Sequence, residues 1–264
     1  NYSSDIDLIV LYDAFTPLLG DPHAAATFFV RFTRRLVQIM QDVTEDGYVF
    51  RTDLRLRPDP RATQVAISID AAEVYYLNQG QNWERAAMIK ARPSAGDISL
   101  GDEFLDRLKP YIWRKHLDFA AIADVQSMKR QIHAVKGHGE VKVRGHNLKL
   151  GRGGIREIEF IVQALQLIRG GQDRRLQNPR LLEVLPMLGR DRLLNPQVVE
   201  RLGESYRYLR TLENRIQMLR DAQTHSLPED VESRARLARA MGESGWETLA
   251  NTVERHFTRV QREF

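Results

Sequence analysis

The segment Asp5-Ile6-Asp7, running into Leu8-Ile9-Val10-Leu11-Tyr12, constrains this chain more than any other stretch. Two aspartates one residue apart head an apolar run with strand character. Side chains alternate faces along a strand, so Asp5 and Asp7 point one way while Ile6, Leu8 and Val10 point into a core. Two carboxylates fixed on one face repel each other unless a cation or a proton lies between them. A divalent metal such as Mg²⁺, held by one or two carboxylates plus substrate phosphates, resolves that conflict. A strand edge with two solvated acids would spell the same letters, so the pair needs company.

The company comes from Arg51-Thr52-Asp53-Leu54-Arg55-Leu56-Arg57. Alternation puts Arg51, Asp53, Arg55 and Arg57 on one face, with Phe50, Thr52, Leu54 and Leu56 turned towards a core. A third aspartate flanked by arginines suits a metal-dependent phosphoryl or nucleotidyl transferase. Carboxylates there hold metal against the phosphates, and arginines offset charge that builds in the transition state. An exposed strand of a basic protein with one compensating acid is the plainer alternative.

Composition narrows the class without choosing the chemistry. The chain has 264 residues, 42% hydrophobic and 28% charged, enough to bury a substantial core. No stretch approaches the length of a membrane-spanning helix. The absence of cysteine excludes a disulfide framework and thiolate metal sites, and fits a cytoplasmic location. A net charge of +4 over this length falls short of a polybasic arm, and no basic stretch is interleaved with aromatics, so nucleic acid is not an expected partner. The seven histidines, His133, His138 and His146 among them, show no ligand spacing, and no zinc site is expected. Asn1 is not an initiator methionine and the chain opens on a motif, so it reads as an excised fragment.

The periodicity divides the chain near residue 97. Before it, strands are expected over 5–12, 48–57 and 65–69. Helices are expected over 23–41, with Phe28, Phe32 and Ile39 among its recurring apolar residues, and over 70–78, capped by Asp70. Residues 83–92 are amphipathic, with Trp83 expected in the core. After Pro93-Ser94-Ala95-Gly96, helical spacing dominates over 102–112, 116–135, 155–169, 179–189, 196–222 and 230–264. Tyr206, Leu209, Leu212, Ile216 and Leu219 form one such stripe. A Gly- and Lys/Arg-rich loop occupies 137–154, with a short strand possible at 147–150. The expected fold is α+β: a small mixed sheet with helices over 1–97, then an all-α helical bundle over 98–264. Residues 147–160 are candidates to return to the catalytic site. Gly153-Gly154 at a helix start offers free amides and a positive dipole end for an anion, although the glycines would equally serve to make the turn. Glu157 and Glu159 have no role that the sequence decides.

Ser3-Ser4-Asp5-x-Asp7 followed by Asp53 on its own strand resembles the polymerase-beta-type nucleotidyltransferase superfamily. Longer matches sharpen this: Ser3 to Ile9, Thr52-Asp53-Leu54-Arg55-Leu56-Arg57-Pro58, Gly80-Gln81-Asn82-Trp83-Glu84-Arg85 through Lys90-Ala91-Arg92, and Leu150-Gly151-Arg152-Gly153-Gly154-Ile155-Arg156-Glu157-Ile158-Glu159-Phe160. In that order they resemble the bacterial bifunctional glutamine synthetase adenylyltransferase/adenylyl-removing enzymes, and their wording is more similar to the N-terminal, adenylyl-removing half.

The resemblance implies that Asp5, Asp7 and Asp53 bind Mg²⁺ and form the catalytic triad. It implies that Ser3, Ser4, Arg55, Arg57, Lys90, Arg92, Gly153 and Gly154 contact nucleotide or phosphate. The implied reaction is phosphorolysis of adenylyl-tyrosine on glutamine synthetase to ADP and restored tyrosine. Implied partners are the adenylylated synthetase, the nitrogen-signalling PII protein, phosphate, and ADP or ATP. The family's Gly-Ser element retains only Ser3 and Ser4 here, so weak or absent activity is expected of the chain alone. Two rival readings are the adenylylating half, which transfers AMP from ATP, and a non-catalytic module that senses nucleotide or partner.

Overall fold

The computed structural model describes residues 3–17, 19, 21–115, 127, 129–130 and 143–264. The chain forms two compact units: Ser4–Arg114, and Lys115–Phe264 together with residues 1–3. The expected helix over 116–135 lies almost wholly outside the described residues, as do His133 and His138.

In the first unit the opening apolar run makes two short strands, β1 (Ile6–Asp7) and β2 (Val10–Tyr12). Each takes a different partner. β1 pairs in parallel with β3 (Thr52–Asp53), and β2 pairs in parallel with β4 (Ala66–Ser68). Between them runs α1 (Ala25–Gln41), which packs on β2, β3 and β4. Its buried face is Ala25, Val30 and Thr33. Phe28, Phe32 and Ile39 lie on another face and are about half exposed, contrary to the expectation from spacing. Apolar spacing locates a helix but cannot say which side the core will take when aromatics cover more than one face.

α2 (Ile69–Asn78) begins where β4 ends. Its cap is Ser68, whose hydroxyl accepts from the Ala71 amide, rather than Asp70. α3 (Asn82–Met88) opens on a capping box in which the Glu84 carboxylate accepts from the Gln81 amide at 2.7 Å. α4 (Ile98–Arg107) and α5 (Lys109–Ile112) close this unit by packing on α2 and α3. The Arg85 guanidinium donates to the Ile112 carbonyl, and the Tyr111 hydroxyl donates to the Gln81 carbonyl. These long-range bonds, with Phe104, Leu108 and Ile112 buried, tie α4 and α5 into the unit that runs to Arg114.

The second unit is helical: α6 (Ile155–Arg169), α7 (Leu181–Arg190), α8 (Pro196–Arg220), α9 (Val231–Ala240) and α10 (Trp246–Glu263). α8 is the hub, touching α6, α7, α9 and α10. Its stripe is buried as the periodicity predicts: Leu209, Leu212 and Ile216 lie in the core, with Tyr206 and Leu219 packed beside them. The expected single helix over 230–264 is interrupted, because Gly242 takes a left-handed φ of 77° and Gly245 is extended. Residues 147–150 form a turn with one isolated bridge, Asn147 to Ser226.

Candidate functional site

β1 and β3 run side by side with Ile6 opposite Thr52 and Asp7 opposite Asp53. The Ile6 amide donates to the Arg51 carbonyl and the Leu8 amide to the Asp53 carbonyl, each at 2.8 Å. Neighbouring strands lie about 4.8 Å apart, and in-register residues of a parallel pair share a face, so the two carboxylates issue from adjacent points. Asp5 immediately precedes β1 and is partly buried.

Arg55 registers the whole cluster. It chelates Asp53, its Nε 3.0 and 2.8 Å from the two carboxylate oxygens, while its backbone amide donates to Oδ1 at 2.8 Å. That hydrogen bonding holds the Asp53 carboxyl below the usual carboxylate range. The guanidinium is raised in turn, first by its bond to Asp53 and then by the fields of Asp53, Asp5 and Asp7. Three carboxylates and one cation therefore share this edge of the unit. Among the described residues, no three acidic or histidine side chains are already gathered into a metal cage. The donor set nonetheless fits Mg²⁺, which takes hard carboxylate oxygens, is usually held by one or two of them, and fills its shell with phosphate and water. The Ser4 hydroxyl, on the residue before Asp5, is buried with no partner among the described residues. It is a donor available to an oxyanion.

Other expected site residues are placed differently. β3 stops at Asp53, so the alternation of Arg55 and Arg57 fails there. Arg57 turns into its own loop and donates to the carbonyls of Leu54, Pro60 and Thr63 at 2.8 to 3.3 Å. There it closes the 54–63 turn. Lys90 and Arg92 follow α3 on exposed chain of the same unit. Trp83 is 43% exposed rather than part of the core. Ser3 groups with the helical unit, where its amide donates to Gln217 at 2.9 Å.

Gly153 and Gly154 also belong to the helical unit, and the amides there are already taken. Gly153 donates to the Glu157 carboxylate at 2.8 Å, Gly154 to the Gly151 carbonyl, and Ile155 to the Leu148 carbonyl. A Cβ on Gly153 would stand 2.4 Å from the Phe257 carbonyl oxygen, and φ there is +72°. The glycines let this turn press against α10, with these amides bonded inside the turn.

The same unit holds a buried charge network that spacing did not reveal. Arg210 bridges Glu159 and Glu213 at 2.8 Å each, and Glu213 meets His225 at 2.8 Å. Burial favours the neutral form of Glu213, but the bond from His225 and the nearby Arg210 hold its carboxyl low. His225 in turn accepts the Leu148 amide through its carbonyl. Glu159 therefore locks α6 to α8.

Taken together, parallel strands that set Asp7 opposite Asp53, with helices packed behind them, define an α+β fold of the nucleotidyltransferase type. Comparison with known proteins makes this specific. Residues 1–107 match the family model for glutamate-ammonia ligase adenylyltransferase, and residues 126–264 match that for GlnD PII-uridylyltransferase. The chain belongs to the family of bifunctional glutamine synthetase adenylyltransferase/adenylyl-removing enzymes. It is 58% identical over 242 residues to the relative of that name from Brucella melitensis, which covers 92% of this chain and 25% of the relative. It is 52% identical over all 264 residues to the one from Mesorhizobium japonicum and 53% to the one from Xanthobacter autotrophicus, 27% of each relative being covered. The chain thus spans about a quarter of the length of the curated relatives it matches. No helix among the described residues is long and apolar enough to cross a membrane.

Proposed function

We propose that this chain supplies the adenylyl-removing centre: Mg²⁺-dependent phosphorolysis of adenylyl-tyrosine on glutamine synthetase. The observation that carries the reading is the register of Asp7 with Asp53, beside Asp5 and under Arg55. The wording of the Trp83-Glu84-Arg85 and Gly153-to-Phe160 segments supports this half over the adenylylating one. The match of residues 126–264 to a PII-uridylyltransferase model supports a partner related to PII signalling.

In this reaction an oxygen of inorganic phosphate forms a bond to the AMP phosphorus while the bond from that phosphorus to the tyrosine oxygen breaks. The phenolate leaves and takes up a proton, and the attacking phosphate becomes the β-phosphate of ADP. Attack of one anion on another is limited mainly by positioning and charge. Asp5, Asp7 and Asp53 are the residues that would hold Mg²⁺, which when bound would neutralise phosphate charge. Arg55, Lys90 and Arg92 would bind the phosphate oxygens, and the Ser4 hydroxyl would donate to one of them. Arg55 guards the Asp53 carboxylate until the anion arrives, then turns its exposed guanidinium to it. Alanine at Asp5 and Asp7 in the intact enzyme should abolish phosphate-dependent ADP release from the adenylylated synthetase. Unchanged release would remove the assignment.

A further inference from the structure

The helical unit carries a second set of cationic groups that the aspartate cluster does not use. A cavity of about 420 Å³ lies between α9 and the start of α10, lined by Arg144, Arg234, Arg239 and Trp246, with Glu243 and Glu247 also facing it. Arg234 is 9% exposed, an unusual place for a guanidinium. Its Nε makes one long bond, 3.3 Å to the Asp230 carbonyl, and its guanidinium carbon lies 5.4 Å from the centre of the Trp246 ring. Neither interaction occupies its two terminal amino groups, which carry four of the fork's five N–H donors.

The cavity also receives the first turn of α10. That helix runs from Trp246 to Glu263, and its N-cap, Gly245, makes no side-chain capping bond. First-turn amides have no partner within a helix and carry the positive end of its dipole. Of the two acids, Glu247 is 81% exposed at the rim, where it meets Arg144 at 3.9 Å. A deep arginine with spare donors, a second arginine beside it and an uncapped helix start thus converge on one space.

We propose that this cavity is a binding site for a small ligand carrying an oxyanion, a carboxylate or a phosphate group. Arg234 forms the floor and grips the anion with its fork, Arg239 closes on it from the neighbouring turn of α9, and the α10 amides complete the shell. The inference is independent of which adenylyl reaction the first unit performs.

The test follows the indole N–H of Trp246 by NMR in the whole chain, without Mg²⁺ and at constant ionic strength set with sodium chloride. Inorganic phosphate and succinate are titrated separately. Saturation by either supports the site, and the anion that saturates identifies the ligand group as phosphate or carboxylate. Arg239→Ala, at an exposed position that leaves the fold intact, should weaken the saturating anion roughly tenfold, and Arg234→Lys should weaken it by at least as much. Shifts that never saturate with either anion, or variants that titrate like the parent, would overturn the proposal.

Discussion

Asp7 and Asp53 face each other in register across a parallel ladder, each supplied by a strand of only two residues. Like charges directly opposite on neighbouring strands cost stability. Asp7→Asn should therefore raise the melting temperature of the metal-free chain slightly, by the equivalent of about 0.5 kcal/mol. The same variant should lose the stabilisation that Mg²⁺ with nucleotide gives the parent. Thermal melts with and without both ligands check the two halves of this statement.

Arg55 and a metal ion compete for one carboxylate. Arg55→Gln frees Asp53 and should tighten Mn²⁺ binding in the absence of nucleotide, read by the Mn²⁺ resonance signal. In the intact enzyme it should also raise the KM for phosphate, because the guanidinium that moves to the anion is gone. Equal metal affinity in parent and variant would mean that Arg55 does not guard the site.

Gly153 separates a packing role from an anion-binding one. Gly153→Ala combines a left-handed φ with a collision against the Phe257 backbone. It should destabilise the helical unit by about 2 kcal/mol or more in urea unfolding, with or without phosphate present. A variant as stable as the parent that has lost phosphate affinity would instead support the cradle expected from the sequence.

His256 makes the helical unit sensitive to acid. Burial, together with Arg259 and Arg255, pushes its imidazole down to about 4 from an ordinary value of 6.5. Its Nδ1 lies 3.0 Å from the Ser205 hydroxyl, and the ring stacks on Tyr208. As pH falls below 6.5, the unfolded chain binds a proton that the folded chain refuses until about 4, so stability drops across that window and is complete above it. After allowance for partial solvent access, the drop should be on the order of 2 kcal/mol. Urea unfolding between pH 7 and 4 should show it, and His256→Asn should flatten that part of the profile.

What the sequence made legible was periodic or local. The strands that carry Asp7 and Asp53 follow from alternation, and the buried Leu209, Leu212 and Ile216 from helical spacing. What escaped was decided by tertiary contacts. Arg57 follows alternation in the sequence, yet three carbonyls of its own loop outbid the strand for its guanidinium. Phe28 and Phe32 share a helix with Val30, and only packing on β2, β3 and β4 selects the buried face. Glu159 and Arg210 lie far apart in the chain and meet because α6 and α8 pack together, which no local pattern encodes.

The most direct test of the proposed phosphorolysis gives isotopically labelled inorganic phosphate and adenylylated glutamine synthetase to the intact enzyme, with its other catalytic centre inactivated. The label should appear in the β-position of ADP, dependent on Mg²⁺ and lost when Asp7 is replaced by asparagine. Label that never enters ADP, with pyrophosphate released instead when ATP and unmodified synthetase are supplied, would show that this chain serves the opposite reaction.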